Sequence, residues 1–202
     1  MSDKKFNFDY RKKWSKPPWY STYEKNNYGD LFYALIRLFK PQKVVELGTK
    51  AGYSAYHLAR GLKANGKGQL DCYDLWEKYE FSSVPQAVAE KNLREFKNIV
   101  SFNPHNAVGV DKKYAAVDIL HVDLSNKGEI LEEIIPRWID KVRQLIIIQG
   151  GSAEHDQLPW MTHFHKMPVR QWLTHFARQH PDMQYVTIEP FPSLTLIRKI
   201  TL

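Results

Sequence analysis

Glu46-Leu-Gly-Thr-Lys-Ala-Gly-Tyr-Ser54 sets an acid, two glycines and a serine around one short turn. Gly48 and Gly52 permit a tight bend and close approach of backbone to ligand, with Thr49 between them. A helix starting near Gly52 would aim its first amides at an anion. Lys50 stands where the dinucleotide fingerprint G-x-G-x-x-G needs its second glycine, and Glu46 would repel a pyrophosphate. A nicotinamide-dependent reductase is therefore the weakest reading. An acid beside a glycine turn suits a ligand carrying both a cationic amine and a carboxylate. Further along, Asp74, Asp123 and the loop Gly150-Gly-Ser-Ala-Glu-His-Asp156 each follow an apolar run. In that loop Glu154, His155 and Asp156 could supply a general base for a hydroxyl acceptor, with His155 titrating near working pH. The same acids could equally cap the next helix, since Asp and Glu favour first turns.

These residues need elements to hold them. Leu31, Ala34, Leu35 and Leu38 recur at helical spacing until Pro41. Lys43–Leu47 is a short β-rich run, followed by a helix through Leu62. Gln69–Tyr73, Asn98–Phe102, Val117–Val122 and Gln144–Ile148 are further strands, with helices expected over 85–96, around Ile130–Ile135 and over 157–179. Gln184–Ile188 and Leu194–Arg198 flank Pro190-Phe-Pro-Ser193 and read as an antiparallel pair. Strands alternating with helices predict an α/β, Rossmann-like fold: a mostly parallel seven-stranded sheet, an antiparallel C-terminal hairpin, and helices on both faces. Ligands of such sheets bind at the carboxyl ends of the strands, where the candidate residues lie.

The segment 46–54 resembles the first motif of class I S-adenosylmethionine-dependent methyltransferases, most closely the catechol-type O-methyltransferase branch with its E-L-G-x-x-x-G-Y-S pattern. The resemblance spans about residues 27–200 and implies S-adenosylmethionine as cofactor. Glu46 would then hold the methionine amine, directly or through water. Gly48 and Gly52 would line the amino-acid moiety and Ser54 would meet its carboxylate. The family places an acid at the end of the second strand to chelate the ribose hydroxyls. Asp74 stands there, with Asp71 as a rival within the strand. Leu75 and Trp76 fall where apolar groups cover the adenine, and Asn106 where a polar residue touches its edge. At the end of the fourth strand an aspartate, here Asp123, orients the acceptor or shares a divalent cation. The branch completes that metal site with an Asp-Asn pair after the fifth strand, but this chain has Gln149-Gly150. No metal ligand is assigned. The expected activity is O-methylation of a small-molecule or sugar-like acceptor, with Asp123 and His155 at the reacting end.

Three other features carry less. His163-x-His165 lies on an amphipathic stretch rather than in a ligand set, and His121, inside a strand, reads as a hydrogen-bonded core histidine. Pro17-Pro18-Trp19 is similar to the N-P-P-Y motif of amino-methylating nucleic-acid enzymes but stands far from the fourth strand, where that motif belongs.

The composition frames these readings. The 202 residues are 43% hydrophobic and 25% charged, a globular balance, and no apolar run approaches a membrane span. The lone cysteine, Cys72, fits a reducing cytoplasm. The net charge of +7 is concentrated: residues 1–25 hold seven bases and three acids. We read 1–25 as a basic, aromatic arm, either a lid or a packed tail, and 26–202 as the catalytic domain. The arm leaves open nucleic-acid methylation, in which it would grip phosphates and stack bases. An inactive cofactor-binding protein is a further alternative. The oligomeric state, a homodimer included, is not legible.

Overall fold

The computed structural model describes residues 17–79, 84–125 and 127–200. Its strands are β1 (Lys43–Leu47), β2 (Gln69–Asp74), β3 (Val100–Pro104), β4 (Val117–Val122), β5 (Val142–Gln149), β6 (Met183–Ile188) and β7 (Leu194–Lys199). They form one sheet in the order β3-β2-β1-β4-β5-β7-β6. The first five run parallel, and β7 enters antiparallel between β5 and β6. The strand order reverses between β1 and β4, which makes their carboxyl ends the expected ligand crevice.

The helices are α1 (Tyr28–Phe39), α2 (Tyr53–Asn65), α3 (Gln86–Asn92), α4 (Gly128–Trp138), α5 (Ala153–Asp156), α6 (Pro159–His163) and α7 (Val169–Gln179). One face of the sheet packs on α1 and α2 through Phe32, Ile36, Leu58 and Leu62. The other packs on α4 and α7 through Leu131, Ile135, Trp172 and Phe176. Successive strand residues point to opposite faces. Glu46 and His121, paired in register on β1 and β4, therefore share the α1–α2 side.

Two helical expectations are corrected. The helical stretch read over 157–179 is two helices, α6 and α7, preceded by the one-turn α5 at Ala153–Asp156, because Pro159 and Pro168 lack the amide a continuous helix needs. The helix read over 85–96 stops at Asn92 and tightens into a 3₁₀ turn at Arg94–Phe96. Part of the arm is regular. Thr22–Asn26 forms a 3₁₀ turn whose Ser21 cap accepts a hydrogen bond from the Tyr23 amide at 3.2 Å. Residues 1–16, which hold most of the basic excess, lie outside the described residues.

Candidate active site

A cavity of about 450 Å³ opens at the carboxyl ends of β1 to β5. This lies within the ~300–1,000 Å³ range of small-molecule clefts. Its wall includes Gly48, Thr49, Lys50 and Ser54 from the first turn, Asp74 at the end of β2 with Leu75 beyond it, and His105 to Val108 after β3. Asp123 to Ser125 follow β4, and Gln149 ends β5. Trp160 of α6 and Trp19 to Thr22 of the arm close the remaining sides.

The turn after β1 is built by close approach. Gly48 has φ +92°, and a Cβ there would meet the Asp123 carbonyl oxygen at 2.0 Å. Only glycine lets the β1 turn lie against the end of β4. Gly52, at φ +88°, packs against Leu93 and is absent from the cavity wall, so it shapes the turn without lining the ligand space.

Asp74 anchors the adjoining wall. Its Oδ2 accepts from the Lys50 amide at 2.7 Å and its Oδ1 from the Trp76 amide at 2.9 Å. Each carboxylate oxygen keeps a further lone pair, enough to accept both hydroxyls of a vicinal diol. Leu75 faces the cavity beside it. Trp76 does not. It is fully buried, packed edge-on against Phe102, with its indole N–H donating to the Lys50 carbonyl at 2.8 Å. It braces the glycine turn from behind rather than covering a ligand. Asn106 is on the wall, its side-chain oxygen accepting from the Val108 amide at 2.9 Å, which leaves its amide N–H₂ for a ligand edge.

Glu46 departs from its expected place. Its carboxylate is sealed in the core and away from the wall. Oε1 accepts from Ser54 Oγ at 2.6 Å and lies 3.0 Å from His121 Nδ1, while Cys72 Sγ approaches Oε2 at 3.8 Å. Glu46 thus meets the cavity only through Ser54, which lines it. His121 is the hydrogen-bonded core histidine that its position inside a strand suggests.

At the β4 end, Asp123 is partly buried on the cavity wall. Burial pushes its carboxyl up to about 6. The charge of Glu46 adds to the rise, while His121, Lys50 and the Tyr23 hydroxyl oppose it. His155, the other expected reacting group, lies off the wall. It is buried against Phe191, with Nδ1 3.1 Å from Ser193 Oγ, and burial pushes its pKa down to about 3. His155 is thus a neutral, enclosed imidazole outside the cavity lining. Of the acids beside it, Glu154 accepts from the Phe191 amide in the turn between β6 and β7, and Asp156 accepts from the Val169 and Arg170 amides at the start of α7.

The arm supplies wall residues that sequence reading had only bracketed. The Lys50 ammonium donates to the Tyr20 carbonyl, and Asn92 Nδ2 donates to the carbonyls of Pro18 and Ala51. Trp19 packs on Tyr53 and Tyr56. At the far end Asn26 donates to the Phe191 carbonyl at 2.7 Å. The dense aromatics of the arm were the available signal; the wall roles of Gln149, Lys127 and Trp160 had none.

These residues fit a nucleoside bearing an amino-acid tail: the Gly48 turn, Asp74 with acceptor lone pairs to spare, apolar Leu75 and the amide of Asn106 all line the one cavity. They do not fit a hard divalent cation, which prefers about six oxygens with several carboxylates. Asp123 is the one carboxylate at the β4–β5 end of the wall, and its neighbour on β5 is the amide Gln149. Among the described residues no group of three or more His, Cys, Asp or Glu side chains is placed to hold a metal. His163 packs its ring on Phe164.

No curated protein matches the chain by sequence. Solved structures share its fold. One is the O-methyltransferase TomG of Streptomyces achromogenes, involved in tomaymycin synthesis and bound to SAM, at 21% identity and TM-score 0.67, covering 87% of this chain and 80% of that one. Another is an O-methyltransferase of Bacillus cereus in complex with SAH, at 16% identity and TM-score 0.66 over 86% and 81% of the two chains. The SAH-bound methyltransferase PaMTH1 of Podospora anserina aligns at 15% identity and TM-score 0.68 over 86% and 78%. A family profile described as a methyltransferase domain matches residues 45–190, most of the chain and every strand that lines the cavity save the first residues of β1, and the protein belongs to that methyltransferase family.

Proposed function

We propose that the protein transfers a methyl group from S-adenosylmethionine to a hydroxyl oxygen of a small acceptor. The observation that carries this reading is the placement of Asp74 and Asp123 on one cavity wall, at the ends of β2 and β4, on either side of the Gly48 turn. Asp74 would accept the ribose hydroxyls, Leu75 and Asn106 would bound the adenine, and Thr49 and Ser54 would meet the amino-acid end. Bound there, the cofactor supplies an electrophilic methyl on sulfur. Asp123, with its carboxyl ionising near pH 6, can accept the proton of a hydroxyl presented at the other end of the cavity. Methyl transfer is an in-line displacement, so holding the two reactants in line is the larger part of the work. Trp19 to Thr22 and Trp160 also line the cavity, whose volume of about 450 Å³ favours a small acceptor over a polymer. Among the described residues no helix is long and apolar enough to cross a membrane, and we place the protein in the cytoplasm on its single buried thiol, Cys72.

Calorimetry with S-adenosylhomocysteine tests the cofactor half. Binding that is weakened in Asp74→Asn supports it, and no binding by the native protein overturns it. A screen of hydroxylated small molecules, read by S-adenosylhomocysteine release, tests the acceptor half. Turnover confined to amine acceptors would remove the oxygen assignment.

A further inference from the structure

Tyr23 reaches the site from an unexpected direction. Its side chain is fully buried, and its hydroxyl has no partner in ordinary hydrogen-bond geometry. A phenol enclosed without a partner is unfavourable, so something must hold it there. The ring is wedged edge-on against Tyr28 and Phe32, with centroids 5.9 and 5.3 Å away, and stacks on Tyr53 at 6.4 Å. Its backbone is fixed by the Ser21 cap and by anchors on both sides, at Tyr20 and Asn26. The arm is therefore a strap that holds one hydroxyl buried behind the cavity wall formed by Trp19 to Thr22. The charges that act on that hydroxyl most strongly are those of Asp123 and Glu46.

Asp123 has four ionisable groups facing it: Glu46 from β1, His121 from β4, Lys50 from the glycine turn and Tyr23 from the strap. Glu46 repels its charge. The His121 Nδ1 is engaged by Glu46, and the Lys50 ammonium by the Tyr20 carbonyl. His121 Nε2 and the Tyr23 O–H both lack a partner in ordinary hydrogen-bond geometry, and of the two it is the phenol that acts on Asp123 through a hydrogen bond. We propose that Tyr23 is a positioning residue: its O–H donates to the ionised Asp123 carboxylate and holds it charged and aimed at the acceptor end of the cavity. The acceptor end is defined by the methyl-transfer reading above, on which this role rests. The tyrosine keeps its own proton throughout, because burial and the two carboxylates push its phenol well above the usual range. The proton that moves is the one passing from the acceptor hydroxyl to Asp123.

Tyr23→Phe keeps the ring and removes the donor. The experiment is a carboxyl-carbon NMR titration of the full chain, with the Asp123 signal assigned by its loss in Asp123→Asn. In Tyr23→Phe the Asp123 midpoint should rise by about one unit. An unchanged midpoint overturns the proposal, because lost packing alone would not move it in that direction at an intact fold. Should Tyr23→Phe fail to fold, the phenolic carbon of Tyr23 is followed in Asp123→Asn instead. A shift of that resonance supports the pairing, and a signal that stays put overturns it. Calorimetry with S-adenosylhomocysteine on the native sample separates the two readings. A raised midpoint in a protein that binds no S-adenosylhomocysteine upholds the Tyr23–Asp123 bond and removes the methyl-transfer reading.

Discussion

Ser54 Oγ lies 2.6 Å from Glu46 Oε1, so the serine at the start of α2 is bonded to the buried acid of β1. The two ends of the first motif thus address each other, and only Ser54 reaches the cavity. Glu46→Ala would leave His121 Nδ1 and the Ser54 hydroxyl without their partner in the core. It should lower stability by about 3 kcal/mol, against ~1 kcal/mol for Ser54→Ala. Urea denaturation measures both. Equal midpoints for Glu46→Ala and the native chain would contradict a buried structural role.

Asp74 is expected to act on affinity more than on stability. Asp74→Asn removes the charge and one acceptor oxygen, so S-adenosylhomocysteine binding should weaken by about 1–3 kcal/mol. The unfolding midpoint should change less than in Glu46→Ala. An undiminished affinity in calorimetry would take Asp74 out of the cofactor site.

Asp123 makes a prediction with a definite sign. Its folded pKa lies near 6, above the ordinary carboxylate value, so the native state holds its proton more tightly than the unfolded chain. Stability is therefore lost as pH rises from about 4 through 6. Asp123→Asn should be more stable than the native protein at pH 7.5 and no more stable at pH 4, by thermal unfolding. Turnover in the native enzyme should fall below about pH 6 as the carboxyl protonates. A rate flat from pH 5 to 8 would exclude Asp123 as the base.

His155 behaves in the opposite sense. Its folded pKa near 3 is depressed, so below pH 6.5 the unfolded chain takes a proton that the native state refuses. His57, pushed down to about 4 by burial and the Arg60 charge, adds to the effect. Stability should fall as pH drops from 6.5 towards 4. His155→Gln should flatten that fall while leaving the pH dependence of turnover as it was. A changed rate profile in this variant would restore His155 to the reacting centre.

The strands were legible because buried parallel strands are short apolar runs: β1 and β4 stand where Lys43–Leu47 and Val117–Val122 are read. Asp74 and Asp123 were legible for a related reason, since the residue ending such a run faces the crevice. His155 misled because its burial comes from the Phe191–Ser193 turn, thirty-eight residues away, and no local pattern announces a contact of that range. Glu46 misled for another reason. Alternation along β1 shows that it points to one face, but the partner that seals it, His121, becomes apparent only once β1 and β4 are paired in register. Tyr23 belongs to a strap whose path is set by Asn92, Lys50 and Phe191 together, so its hydroxyl could not be placed from the spacing of aromatics.

The place of β7 bears on how the protein is made. It follows the other six described strands in the chain, yet it takes an interior position, pairing Ile197 with Ile146 on one side and Tyr185 on the other. Until Leu194–Lys199 has emerged, β5 presents Ile146-Ile147-Ile148 as an open edge and β6 has no neighbour. Exposed apolar edges recruit other chains. Translation halted before Leu194 should therefore yield aggregate rather than a feeble enzyme, and the growing chain needs shelter until Leu194–Lys199 slides into the gap.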